Sequence, residues 1–409
     1  MTTHHVRLTA PGLYTAAGTG PGVLWETLVA GKDTRRPTEA LAGPWPDFDT
    51  AFLVDDPDAA TLGVHRRVLR TSEKQARMAL YGARLALAGP AERGPVGGPD
   101  WGLYLGLPTV DEELLRFGAL DRLHKAAGSP GEVAALYGRE VPPFSGLSHL
   151  NSTVAAHISA VFGLTGAMAA YSPFSDAGLT ALIDGALSVA EGENEAALVG
   201  AVSPKVHPLL FAQYEELGWN GAVPGEGAAF LLAERADGGP GGPGGPGGTT
   251  GSGGSGGSVA GSGAPGARLA GYGRAFGAGT EDRTEAIAEA VHAALESAGT
   301  DAGGIGWVLP DAAWTADGAR AQSAALDRVF AGTADRPAQF TGERATGVLG
   351  PAHPLAHTLL ALRGLASGRR LAADGDAVRE EALPAPRALV LACGARGQVC
   401  AVVLEGAGK

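Results

Sequence analysis

Ser175 and Asp176 stand where an amphipathic helix begins, and residues of these types at a helix start can do chemistry. Leu179, Leu182, Ile183, Ala186, Leu187 and Ala190 follow at the spacing that buries one stripe of a helix. A helix start presents unpaired backbone N–H groups and the positive end of the helix dipole, so a side chain aimed there can act as a nucleophile or hold an anion. The same two residues also make an ordinary N-cap followed by a first-turn acid. On these residues alone both readings stay open. His353 and His357, four apart, have a metal-ligand spacing, but no acidic or cysteine partner is linked to them by motif, so packing is expected and no metal site. Cys393 and Cys400 fit neither a zinc knuckle nor a C-x-x-C redox pair, which leaves two reduced core thiols.

The elements that must position these residues repeat along the chain. A short strand at 6–8, a helix at 22–31, a longer helix at about 72–89 and an apolar strand at 101–107 open it. Residues 109–127 have helical periodicity, with Val110, Leu114, Phe117 and Leu120 on one stripe. After the Ser175 helix come apolar strands at 196–202 and 225–234. Residues 237–267 are Gly-Gly-Pro repeats passing into Gly/Ser, which cannot bury enough apolar surface to offset their backbone entropy and read as a flexible connector. A second half follows, with a strand from Arg268, helices at 281–298, 317–331 and 354–366, a strand at 305–309, and strands at 388–393 and 399–404. Each half ends in a helix and two apolar strands. The chain therefore divides into 1–236, the connector 237–267, and 268–409, an internally duplicated α/β fold.

Composition sets the outer limits. With 409 residues, 45% of them hydrophobic, and a mean hydropathy of +0.06, the chain can bury two core-forming units. No apolar run of membrane-spanning length and no signal-like leader is seen, so a cytoplasmic location is expected. The net charge is −12 with scattered basic residues, which argues against a nucleic-acid or anionic-membrane partner.

Residues 171–179, Y-S-P-F-S-D-A-G-L, stand in the frame of a strand, a tight elbow and a buried helix. Together with residues 148–166 (S-H-L-N-S-T-V-A-A-H-I-S-A-V-F-G-L-T-G), the segment G-E-G-A-A-F-L-L-A-E at 225–234 and L-A-G-Y-G at 269–273, they resemble the β-ketoacyl synthase family of the thiolase superfamily. The resemblance covers nearly the whole chain apart from the Gly-rich insert. It implies a thiolase-like fold of two pseudo-repeated halves in α-β-α-β-α layers. It also implies that His157 is a structural histidine of the core or an interface. Finally, it places Val110, Leu114, Phe117 and Leu120 at a subunit interface and acyl pocket.

The resemblance puts Ser175 where the family has its cysteine. Asp311 then stands in the place of the H-G-T-x-T histidine. Glu343 falls near the lysine and Val348 near the histidine of K-x-x-x-G-H. A condensing enzyme needs a thiolate and both histidines, so no catalytic set is expected. Similar losses mark the chain length factors of type II polyketide synthases, which often read D-G-A or D-A-A at the position of Asp311, Ala312 and Ala313. Most of their aromatic-polyketide members have glutamine at the cysteine position, so Ser175 departs from that branch and suggests the polyene type. The implied role is a non-catalytic subunit that pairs with an active ketosynthase, receives chains on acyl carrier protein, completes the acyl tunnel and sets chain length, with no cofactor. The alternatives are a serine-dependent acyltransferase or decarboxylase using Ser175, and a scaffold that only stabilises its partner.

Overall fold

In the computed structural model the described residues are 6–38, 49–88, 98, 100–109, 124–125, 129–140, 147, 150–219, 221–236, 266–313, 315–375 and 377–406. Val110, Leu114, Phe117, Leu120 and the stretch 237–265 lie outside them.

Strand β1 (Val6–Thr15) is followed by helix α1 (Pro21–Val29), helix α2 (Lys74–Leu87) and strand β2 (Trp101–Gly106). Helix α3 (Asn151–Phe162), strand β3 (Met168–Tyr171), helix α4 (Asp176–Ala190), strand β4 (Ala196–Val202) and strand β5 (Gly227–Arg235) complete the first half. The second half runs β6 (Ala267–Phe276), α5 (Thr280–Ser297), β7 (Trp307–Leu309), α6 (Ala316–Val329), β8 (Ala338–Gln339), α7 (Ala352–Ser367), β9 (Arg387–Cys393) and β10 (Gln398–Gly406).

These ten strands and the short strand Gly18–Thr19, which pairs with β1, form an 11-stranded sheet whose main path is β8–β7–β9–β10–β6–β1–β5–β4–β2–β3. From its midpoint each arm repeats one order: the half's first strand, then its last, its last but one, its second and its third. The outer strands of both arms pair parallel, and the inner ones antiparallel. The arms meet where Arg7 and Leu8 of β1 pair with Arg268 and Ala267 of β6, so the two half-sheets are joined into one.

Helices α4 and α7 lie between the arms, each touching strands of both, while α2 and α3 cover one outer face and α5 and α6 the other. This is the five-layer α-β-α-β-α arrangement expected from the sequence. A central helix meets protein on every side, which is why α4 and α7 are apolar nearly all round. All seven residues of β4 are buried for the same reason. The outer helix α5 instead buries one face, including Ile287, Val291, Ala294 and Leu295. Two glycines allow the inner layer to close. A methyl on Gly106 would come within 2.7 Å of Gly178 N, and one on Gly178 would run into Pro351 O, so β2, α4 and the start of α7 touch backbone to backbone.

A hairpin of Arg369–Asp374 and Ala377–Ala382 was not legible in the sequence. Half of its residues are charged and most are exposed, and cross-strand ion pairs such as Arg370–Glu381 (3.0 Å) join it, so no apolar alternation announces it. Among the described residues no helix is long and apolar enough to cross a membrane.

Candidate functional site

The elbow between β3 and α4 places Ser175 at the inner end of the first half. Its backbone is already helical (φ −59°, ψ −34°) and its side chain caps nothing. The N-cap reading therefore fails: a capping serine needs extended backbone so that its oxygen can turn back onto the helix N–H groups. The hydroxyl points across to the second half instead, 2.5 Å from Asp311 Oδ2 and 3.0 Å from the Cys393 carbonyl oxygen. Ser175 is 0% exposed and Asp311 2%.

Asp311 follows the end of β7, and Gln322 of α6 fixes its backbone at two points. The Asp311 N–H donates to Gln322 Oε1 and the Gln322 Nε2 group donates to the Asp311 carbonyl, both at 3.0 Å. Its Oδ2 also accepts the Cys393 N–H at 2.7 Å. Burial pushes the Asp311 carboxyl up to about 7, against the pull of donors at Ser175 and Cys393.

The neighbouring groups are shifted by burial too. Asp176, which lies against Gly394, rises to about 6, and Glu343 rises to about 7. The Cys393 thiol is pushed well above its usual range, first by burial and then by Asp311, so it is no thiolate. Cys400 rises to about 11.

Val348 sits on the other side. Its N–H donates to Val223 O (2.9 Å) and its carbonyl accepts from Gly225 N–H (3.0 Å). Its side chain, 1% exposed, packs with Ala312, Val206, Leu210, Phe211 and Tyr214. Where the resemblance implies an imidazole, the space is hydrocarbon.

His353 and His357 are buried in α7 with rings 4.3 Å apart, edge to face. His357 Nε2 accepts the Gly342 N–H at 3.0 Å. Burial lowers His353 to about 3 and His357 well below the usual imidazole range, so both pack as neutral rings. Among the described residues no group of three or more His, Cys, Asp or Glu side chains is placed to hold a metal ion. His157 is half-buried on α3, its Nε2 3.3 Å from Thr71 Oγ1 and 3.2 Å from Thr71 O, which ties α3 to the turn before α2. A cavity of about 480 Å³ lies to one side of the site. It is lined by Leu28, Lys32, Phe52, Glu343, Arg344 and Val378, among others, but not by Ser175 or Asp311.

The structure thus brings Ser175 and Asp311 together and leaves Val348 in an apolar cluster beside Ala312. Sequence reasoning missed Gln322 and the Cys393 backbone. Backbone donors carry no residue signature, and a helix-face glutamine announces no partner. Chemically the site offers a sealed hydroxyl and a carboxyl near neutrality, with neither a thiolate nor an imidazolium beside them.

Residues 4–238, more than half of the chain, match the model of the β-ketoacyl synthase N-terminal domain. The chain belongs to the β-ketoacyl synthase family. No curated protein matches it. Among solved structures it is similar to the ishigamide ketosynthase/chain length factor, with a TM-score of 0.78, 19% identity, and coverage of 99% of this chain and 100% of that one. A β-ketoacyl synthase from Burkholderia phymatum STM815 gives 0.77 at 18% identity, with 99% and 100% covered. The assembly AntDE:AntF, a type II polyketide synthase acyl-carrier protein in complex with its ketosynthase bound to the hexaketide, gives 0.73 at 17%, again with 99% and 100% covered. At these identities the likeness shows the fold.

Proposed function

We propose that this chain is a chain length factor: a subunit without catalysis of its own that pairs with a cysteine-bearing ketosynthase, completes its acyl tunnel, and helps set the length of a polyketide carried on acyl carrier protein. The observation that carries the reading is the state of the site. The hydroxyl at the expected nucleophile position is sealed from solvent and bound to Asp311 and the Cys393 carbonyl, and Val348 stands in hydrocarbon where a second histidine would be needed. The departure of Ser175 from glutamine supports a polyene-type system over an aromatic one.

A partner surface fits the reading. Strand β3 ends the sheet, and among the described residues it pairs only with β2. Met168 on it is 44% exposed, and Leu150 at the start of α3 is 51% exposed. An open strand edge flanked by apolar side chains is stabilised by a second subunit.

One observation favours a second reading, a serine-dependent acyltransferase or decarboxylase: Asp311 is within hydrogen-bond reach of Ser175, as a general base must be. A carboxyl that titrates near 7 is a better base than an ordinary one, yet it remains many orders of magnitude too weak to ionise a serine hydroxyl without an imidazole between them. The seal over both groups also keeps an acyl donor out.

Co-expression tests the assignment. The chain should co-purify one to one with a ketosynthase that keeps its cysteine and both histidines, and the product length should follow the identity of this subunit when it is exchanged. A monodisperse monomer that extends acyl chains alone would defeat it.

A further inference from the structure

Ser175 Oγ stands between two acceptors, Asp311 Oδ2 at 2.5 Å and Cys393 O at 3.0 Å, and Asp311 Oδ2 already takes the Cys393 N–H at 2.7 Å. A serine hydroxyl carries one proton. With Asp311 ionised, that proton serves the carboxylate or the carbonyl but not both. One further proton, on Asp311, completes the chain: the acid donates to Ser175 Oγ, and Ser175 donates to Cys393 O.

Asp311 cannot turn away to water, because Gln322 fixes its backbone at two points and its side chain is sealed. The Cys393 and Ala312 N–H groups favour its charged form, but burial outweighs them and no charged neighbour adds to their pull. Ser175 and Asp176 come from α4, Gln322 from α6, Glu343 from the short helix Glu343–Thr346, and Cys393 from β9. His357, held neutral by burial, lies against Pro310, and Arg283 acts on Cys393 and donates to Ala395 O. Among the described residues no cation makes an ion pair with Asp311.

We propose that Ser175 and Asp311 form a proton-dependent clasp between the two halves, closed when Asp311 is neutral and loosened when it ionises. Ser175 immediately precedes α4 in the first half, whereas Asp311 follows β7 and Cys393 ends β9 in the second, so the clasp holds the β3–α4 elbow against the opposite arm of the sheet. Burial, reinforced by Glu343, raises the Asp311 carboxyl to the range where this proton is held at neutral pH. A neutral Asp311 is a donor and not a base, so the clasp also removes the proton acceptor that a serine nucleophile would need. The clasp is independent of any partner subunit, and its test leaves the assignment above untouched.

The test is infrared spectroscopy of the purified chain across pH, with Asp311→Asn as the reference. The amide keeps the size and shape of the side chain but has no titrating proton. The native chain should show a protonated carboxylic-acid band below pH 7 that Asp311→Asn lacks and that fades at alkaline pH. Its unfolding temperature should also fall more steeply between about pH 4 and 8 than that of the variant. Glu343→Gln should keep the band. If Asp311→Asn does not fold, Ser175→Ala decides the matter. Where Ser175 accepts from a neutral acid, its loss moves the disappearance of the band to lower pH. Where it merely donates to a carboxylate, the shift is to higher pH. A missing band in the folded native chain, equal pH slopes, or a shift to higher pH would overturn the clasp.

Discussion

On one side of Ala312 a polar chain of Ser175, Asp311, Gln322 and the Cys393 backbone lies buried. On the other, Val348 lies in hydrocarbon with Val206, Leu210, Phe211 and Tyr214. Both places would hold histidines in a condensing enzyme of this family, as the sequence motifs imply, and they are filled here by opposite physics. The polar side is held by hydrogen bonds between buried groups, so each member is costly to remove because its partner is left dry. The apolar side is held by packing and is indifferent to hydrogen bonding but intolerant of charge. The two places are therefore held by different forces, and the substitutions that disturb each should differ.

The largest expected effect is on the apolar side. Val348→Asp puts an unpaired carboxylate or its buried acid among Phe211 and Tyr214, and should cost about 3–5 kcal/mol in urea unfolding, enough to deplete soluble protein. A cost under about 1 kcal/mol would mean that the cluster is wet and the contrast is false. Asp311→Ala comes next. It leaves the Ser175 hydroxyl and the Cys393 N–H without their carboxyl partner, and should cost about 2–3 kcal/mol in the same measurement. If it costs no more than a surface substitution, the polar chain does not hold the halves.

The pH dependence follows in size. Asp311 and Glu343 near 7 and Asp176 near 6 all titrate above the ordinary carboxyl range. Below the unfolded-state values, near 4, both states hold these protons and the stabilisation is complete. Between there and about 7 the folded chain keeps protons that the unfolded chain releases, so stability falls as pH rises. Thermal unfolding should show a lower midpoint at pH 8 than at pH 5, and a flat or rising profile would contradict the burial of these acids. The smallest effect is Ser175→Ala, about 1 kcal/mol, since Asp311 keeps the Cys393 N–H. Product formation by the complex should stay near wild type, and a loss of product would assign Ser175 a chemical role.

Much of the architecture was legible because its signals are periodic. The all-buried run 196–202, the stripe Leu179–Leu182–Ile183–Ala186, and the matching strand pairs that end each half marked the strands, the helices and the duplication, while the layers were implied by the family resemblance. The motif around His157 marked the family, though the ring's bonds to Thr71 depend on a turn no pattern predicts. The site was half legible. Motif position alone set Ser175 and Asp311 in one place, but whether Ser175 would cap its own helix depended on its φ and ψ, which the residues left open. Gln322 and the Cys393 backbone enter through tertiary packing of α6 and β9, which local pattern does not encode. The charged hairpin at 369–382 was missed for a related reason: its pairing rests on cross-strand ions such as Arg370–Glu381 and not on an apolar face.

The claim that this subunit supports synthesis without carrying the chain is tested most directly by intact-protein mass spectrometry of the co-purified pair after incubation with acyl-loaded acyl carrier protein. Acyl mass should appear on the cysteine-bearing ketosynthase and be absent from this chain, in both the native pair and the Ser175→Ala pair. An acyl adduct on this chain that disappears with Ser175→Ala would contradict the account and make Ser175 a nucleophile.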